Sequence, residues 1–235
     1  MLSLLLVTNC RKDEPNPQVI INDNNFLNAL IESGIDKDGD GKISSIEAEV
    51  IKTLDLSNKG IPDLTGIELF INLDSLDCSH NQLISLDLSH NTSLRYLYCW
   101  DNMLASLDVS SNRALEVLVC GRNQLTGLDV SNNTALEYLH CWYNQLTNLD
   151  ISKNALLKNL DCSYNQLTHL DVSTNAFLEH FYCEFNQLID LNVLENSALK
   201  YFSCRDNHIT SLDITGNISL KHFYCDNNPL NSLDL

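Results

Sequence analysis

Apolar residues return at fixed intervals along most of this chain, with polar residues between them. From Leu94 to Leu104 the positions Leu94, Leu97, Cys99 and Leu104 are apolar, Asn102 is a fixed polar position, and the frame recurs 21 residues on. The cysteine of the frame marks the period: Cys78, Cys99, Cys120, Cys141, Cys162, Cys183, Cys204 and Cys225. A finer period lies inside it. Ser75-Leu76-Asp77-Cys78 is answered ten residues later by Ser85-Leu86-Asp87-Leu88, and Leu97 follows Leu86 by eleven. A repeat of this length predicts a solenoid, in which each coil buries its apolar face only against its neighbours.

The frame Leu94-x-x-Leu97-x-Cys99-x-x-Asn102-x-Leu104 resembles the leucine-rich repeat, in its nested 10/11 bacterial form, over about residues 51–235. The resemblance implies a leucine-rich repeat solenoid of short parallel β-strands and turns, with the strand in the first half-coil and a tighter strand or turn in the second. The second half-coil fills the cysteine slot with Leu88, Val109, Val130, Ile151, Val172, Val193, Ile214 and Leu235. Cysteine standing where Val, Ile or Leu also stands reads as a small buried hydrophobe. Disulfides and a metal ladder are the alternatives, and both are poorer. Stacked side chains point in parallel rather than at one another, and no second ligand sits at metal spacing within a coil.

Two asparagine columns accompany the core. Asn81, Asn102, Asn123, Asn144, Asn165, Asn186, Asn207 and Asn228 form one; Asn91, Asn112, Asn133, Asn154, Asn175, Asn196 and Asn217 form the other. Inward amides at turns can satisfy backbone groups that no strand ladder pairs. An aspartate column (Asp87, Asp108, Asp129, Asp150, Asp171, Asp213, Asp234) stacks like charges. Its simplest explanation is solvated carboxylates accepting turn N–H groups; calcium bridging is the alternative.

Ahead of the repeats, Asp36-Lys-Asp38-Gly-Asp40-Gly41-Lys42-Ile43-Ser44-Ser-Ile-Glu47 resembles the twelve-residue loop of an EF-hand. The resemblance implies calcium held by Asp36, Asp38 and Asp40 side chains, the Lys42 carbonyl, Ser44 directly or through water, and a bidentate Glu47. Phe26, Leu27, Leu30 and Ile31 give the preceding segment a helical stripe, and Ile46, Val50 and Ile51 extend one after it. Only one such loop is present, and a solenoid needs its first coil covered. The helix–loop–helix, residues 18–50, is therefore expected to cap the array with structural calcium. The first coil, Leu54-x-Leu56 through Leu64 and Ile67, has 22 residues rather than 21. Residues 1–17 contain Met1-Leu-Ser-Leu-Leu-Leu-Val-Thr-Asn-Cys10, similar to the end of a bacterial lipoprotein signal. That similarity implies lipidation at Cys10. Arg11-Lys12-Asp13-Glu14 resembles the export signal that places some lipoproteins on the outer face of the outer membrane, and Pro15-Asn16-Pro17 reads as a tether. A plain N-terminal tail, and secretion without an anchor, are the alternatives.

Composition narrows the function. With 14 basic and 31 acidic residues the net charge is −17, which argues against nucleic acid and anionic membrane surfaces as partners. No phosphate-binding glycine loop, His-Glu-x-x-His or nucleophile elbow occurs, and the seven histidines scatter over several repeat positions. The chain reads as non-catalytic. Alternation in the first half-strand turns three columns outward. They hold Tyr96, Tyr138, His180 and Tyr201; then Tyr98, His140, Tyr182 and Tyr224; then Trp100 and Trp142. The other half-coil shows mainly Ser, Thr, Asp and Asn. Rings gathered on one face suit recognition, so a protein- or glycan-binding adhesion surface is expected across Tyr96, Tyr98, Trp100, Tyr138, His140 and Trp142, extending to Tyr182, Tyr201 and Tyr224. An architectural spacer and an accessory fragment of a larger enzyme or surface protein are the other readings. The sequence ends at Leu235 halfway through a coil, with Leu230 and Leu233 uncovered, which predicts end-to-end self-association.

Overall fold

The computed structural model describes residues 21–235. Cys10 and the tether expected before Gln18 lie outside the described residues. The described chain opens with helix α1, Asn24–Glu32, whose N-cap Asp23 accepts a hydrogen bond from the Phe26 N–H at 2.8 Å. The helix buries Phe26, Ala29 and Leu30. After the acidic loop comes α2, Ser45–Glu49, started by a capping box between Ser44 and Glu47. The stripe expected over Ile46 and Val50 is not formed: those side chains are 78% and 70% exposed. A helix of five residues has one turn to offer the core, and it spends that turn on Ala48 and Glu47.

Parallel strands of three residues then stack coil upon coil. They are β1 (Thr53–Asp55), β2 (Ser75–Asp77), β3 (Tyr96–Tyr98), β4 (Val117–Val119), β5 (Tyr138–His140) and β6 (Asn159–Asp161). Next come β7 (His180–Tyr182), β8 (Tyr201–Ser203), β9 (Ser211–Asp213), β10 (His222–Tyr224) and β11 (Ser232–Asp234). Strands β1 to β8 with β10 make one nine-stranded sheet, while β9 and β11 pair on the second half-coils. Leu54 pairs with Leu76, the 22-residue step; Leu76 then pairs with Leu97 and Leu97 with Leu118, at 21. The second half-coils of the earlier repeats are turns rather than strands. This is the expected architecture. One apolar cluster runs from Phe26, Leu30, Ile35 and Ile43 of the cap through Leu54 and Leu76 to Leu212, so the helices close the first coil's core.

All eight repeat cysteines are free thiols. Cys78 through Cys204 are buried, while Cys225 is only half-buried. Burial pushes the thiols up, with Cys204 at about 12, so the inner column is held protonated and unreactive. Cys141→Val should therefore leave the melting curve nearly in place, whereas Cys141→Ser should cost about 1–3 kcal/mol by burying a poorly paired hydroxyl. Rapid labelling of Cys141 in the native protein, or equal stability of the two variants, would contradict this.

The asparagine columns carry the turns. Asn144 Nδ2 donates to the Cys120 and Cys141 carbonyls, both at 3.1 Å, and its Oδ1 accepts from the Leu125 N–H at 2.9 Å. Asn102, Asn123, Asn165, Asn186 and Asn207 repeat the pattern. The second column works by half. Asn133 Nδ2 donates to the Val109 and Asn112 carbonyls at 3.0 and 2.8 Å, while its Oδ1 has no hydrogen-bond partner. The aspartates accept turn N–H groups, as from Ser110 to Asp108 and Ser131 to Asp129, both at 2.9 Å. Hydrogen bonds from Ser110 and Ser131, side chain and backbone, hold these two carboxyls below the usual range and outweigh repulsion along the column.

Candidate functional site

Two arrangements among the described residues carry chemistry: the acidic loop of the cap and the face of the nine-stranded sheet. In the loop, carboxylate oxygens of Asp36, Asp38 and Asp40 lie within 4.8 Å of one another. The loop turns around them. Asp36 accepts from the N–H groups of Gly39 and Gly41 at 2.8 and 3.0 Å, and Asp40 from that of Lys42 at 2.8 Å. Gly41 sits at φ +79°, a left-handed conformation that glycine takes without strain. Glu47 stands apart from the three aspartates. It accepts from the Lys37 N–H at 2.6 Å and from the Ser44 N–H and Oγ at 2.9 and 2.8 Å. These bonds, Ser44's backbone first, hold its carboxyl at about 2, so it is ionised throughout the neutral range.

On the sheet face each strand turns its middle residue inward and its first and third outward. Leu97 is buried between half-buried Tyr96 and Tyr98, and the pattern continues through Trp100. The expected residues are not one uniform patch. Trp100 and Trp142, two coils apart, meet with ring centroids 6.1 Å apart. Gly121 lies between them, and a Cβ there would stand 2.6 Å from the Trp142 ring, so the missing side chain is what lets Trp142 lean across. Tyr96 donates from Oη to Glu116 at 3.1 Å beneath Arg95, 5.0 Å from its ring. Tyr138 is 40% exposed, and the His140 Nε2 lies 2.8 Å from the Asn159 amide oxygen. Tyr201 stacks between His180 and His222 at 4.8 and 4.5 Å, and Tyr224 carries Arg205 at 4.4 Å. Tyr182 lines a cleft with Trp142, Tyr143 and Tyr164.

Two features of this face escaped the sequence reading. The first is the turn position two residues after each cysteine, which is left-handed in coil after coil: His80, Asp101, Arg122, Tyr143, Tyr164, Phe185 and Asp206 all have φ near +50°. Tyr143 and Tyr164 stack at 3.9 Å, Tyr164 and Phe185 at 4.3 Å, and Trp142 meets Tyr143 edge-on at 5.7 Å. With Trp100 on Trp142 and His80 on Trp100 at 3.9 Å, a continuous aromatic ridge runs from His80 to Phe185. The second is a charged column just before each strand. Arg95 pairs with Glu116 at 2.8 Å, Lys158 with Glu137 at 2.7 Å and Lys200 with Glu179 at 2.5 Å. The 21-residue register of Arg95, Glu116, Glu137, Lys158, Glu179 and Lys200 was the available signal.

Elsewhere, a larger cleft of about 640 Å³ opens on the second half-coils beside β9 and β11. It is lined by leucines, aspartates, Asn192, Ser211, Ser232 and His169, with no Phe, Tyr or Trp. Leu156 and Phe177, one coil apart, are 47% and 59% exposed away from the sheet face. Among the described residues no helix is long and apolar enough to cross a membrane.

Comparison with known proteins agrees with this architecture. No family model matches the chain. It is 39% identical over 70 residues to internalin J of Listeria monocytogenes serotype 4b (strain F2365), covering 30% of this chain and 8% of that protein. The solved functional domain of internalin J, described as including a cysteine ladder, superposes with a TM-score of 0.52 at 29% identity. That match spans 87% of this chain and 59% of the solved one. Internalin C2 of Listeria monocytogenes superposes at TM-score 0.80 and 21% identity, over 88% of this chain and 94% of its own, a likeness of fold. The chain thus spans under two thirds of the internalin J domain and a small part of the whole protein. The fold is a leucine-rich repeat solenoid of 21-residue coils, similar in sequence to internalin J over part of its length.

Proposed function

We propose that the chain is a non-catalytic binding and adhesion module, displayed on a bacterial cell surface, that engages a protein or glycan across the face of its nine-stranded sheet. The observation that supports this most is the ridge from His80 to Phe185. The same turn position takes Asn58, Asp101, Asp206 and Asn227 in other coils, residues that tolerate left-handed backbone well. Tyr143, Tyr164 and Phe185 each adopt it at a cost of about 1 kcal/mol that the turn does not require. Exposed rings held at such a cost serve contact rather than folding. The matching half-coil surface of Ser89, Ser110 and Ser131 has no equivalent. Arrays of glycans and of extracellular proteins test the reading. A ligand is expected whose binding is lost with Trp100→Ala and retained with Ser89→Ala, Ser110→Ala and Ser131→Ala. Ligands that depend on the serines and ignore the tryptophan would overturn it.

Anchoring through lipidated Cys10 in the outer membrane fits the sequence before the cap and belongs to the same proposal. So does calcium. Three carboxylates within 4.8 Å fit a hard divalent cation, and Glu47, which stands apart from them but accepts from the N–H of Lys37 next to Asp36, would add a fourth. Asp36, Asp38, Asp40, the Lys42 carbonyl, Ser44 and Glu47 would hold the ion, which would brace the cap. At calcium a hundredfold above its dissociation constant, cap opening should become harder by about 2.7 kcal/mol. Glu47→Gln can keep the capping box while losing the charge, so it should abolish the calcium-dependent increment in melting temperature. Identical melting of the unaltered protein with calcium and with chelator would refute the site.

A further inference from the structure

The cleft of about 190 Å³ beside Trp142 brings Tyr143, Tyr164 and Tyr182 together with two carboxylates, Asp161 and Glu184. Around it, acids on this face are matched by bases one coil away: Glu116 by Arg95, Glu137 by Lys158, Glu179 by Lys200 and Asp226 by Arg205. Asp161 and Glu184 form no ion pair among the described residues. Serines hold them instead, with the Ser163 N–H donating to Asp161 at 3.0 Å and Ser203 Oγ donating to Glu184. Burial, with the Glu184 charge adding, pushes the Asp161 carboxyl up, so the cleft holds a desolvated negative group that a cation would relieve. Two bases lie on the same face with partners of their own. His140 Nε2 faces Asn159 at 2.8 Å, and the Arg122 guanidinium lies over the Trp142 and Tyr143 rings at 5.4 and 5.3 Å.

We propose that this cleft receives an arginine side chain of a protein partner, its guanidinium lying against the aromatic rings and its N–H groups reaching Asp161 and Glu184. The reading rests on the sheet face being the binding surface and adds what that surface recognises. The chain already contains the same contact: Arg95 lies over Tyr96 at 5.0 Å while its Nε and Nη2 donate to Glu116 at 2.9 and 2.8 Å. A planar guanidinium is weakly hydrated, stacks on rings and offers a fork that carboxylates match, which a compact, strongly hydrated ammonium does less well. A neutral sugar could stack on the rings and donate hydroxyl hydrogen bonds to Asp161 and Glu184, but it would bring no positive charge to offset theirs. A protein carrying −17 net charge also attracts a basic partner over distance.

The test is an NMR titration of the full chain with N-acetyl-Gly-Arg-Gly-amide. The citrulline peptide, equal in shape and neutral, and the lysine peptide serve as comparisons. Saturable shifts are expected at Trp142, Ser163, Tyr164 and Glu184, with at least tenfold weaker response to citrulline and an intermediate one to lysine. Asp161→Asn and Glu184→Gln should each weaken the arginine peptide about tenfold, while Glu137→Gln, on the same face but already paired, should not. Equal binding of arginine and citrulline peptides, or shifts confined to other residues, would overturn the proposal. An array ligand that needs Trp100 and yet ignores Asp161→Asn would refute the arginine cleft while leaving the binding face standing.

Discussion

Asn144→Ala should destabilise the solenoid by about 3 kcal/mol, several times the cost of Asn133→Ala, although both remove a buried asparagine and the two lie on adjoining half-coils. The difference follows from which backbone groups lose their partners. Asn144 Oδ1 is the acceptor for the N–H of buried Leu125 at 2.9 Å, the hydrogen bond that truncation to alanine removes. An orphaned buried N–H costs about 1–3 kcal/mol, and truncation of the side chain adds to that. The carbonyls fare better, since Cys120 and Cys141 still accept from Asn123 and Asn165 at 3.1 Å. In the second column, Val109 and Asn112 carbonyls keep the N–H groups of Asn112 and Leu115 at 3.0 and 3.1 Å. Asn133→Ala also removes an amide oxygen that has no partner. Its cost should be about 1 kcal/mol. Urea unfolding of both variants decides the matter, and equal losses would show that the two columns do the same work.

Trp142→Ala should cost about 2 kcal/mol of ligand affinity, roughly thirtyfold, with little change in melting temperature. The ring is half-buried by Gly121, Trp100, Tyr143 and Arg122, so it is pre-positioned and loses little freedom on binding. Gly121→Ala tests the same geometry without deleting the ring. Its Cβ would meet Trp142 at 2.6 Å, and the side chain must swing away, parting the two tryptophans. Both variants should lose affinity while folding normally. Retained affinity in both would remove Trp142 from the binding surface.

The fold was legible because every coil repeats the same inward slots, so Leu97, Cys99, Asn102 and Leu104 could be read against seven other copies. The cap was legible at its loop, where the structure brings carboxylate oxygens of Asp36, Asp38 and Asp40 within 4.8 Å of one another. It was less so at α2, since Ile46 and Val50 match a stripe that a five-residue helix cannot present. The face proposed for binding was half legible. Strand alternation gave Tyr96, Tyr98 and Trp100 their outward direction. Tyr143 and Tyr164 could be placed at the turn after the strand, but their stacking with Phe185 into a ridge was hidden because its rule is a backbone angle: left-handed turns are sought at Gly or Asn, and here rings occupy them. The contact between Trp100 and Trp142 depended on reading Gly121 as a gap rather than as an interruption in the column.

The central claim, that ligand lies across the nine-stranded sheet, is tested most directly by hydroxyl-radical footprinting with and without a saturating ligand from the arrays. Protection is expected at Trp100, Tyr138, Trp142, Tyr143 and Tyr164, with Leu156, Phe177 and Ile189 on the remaining surface reacting unchanged. Protection of Leu156, Phe177 and Ile189 while the tryptophans react as freely as before would contradict it.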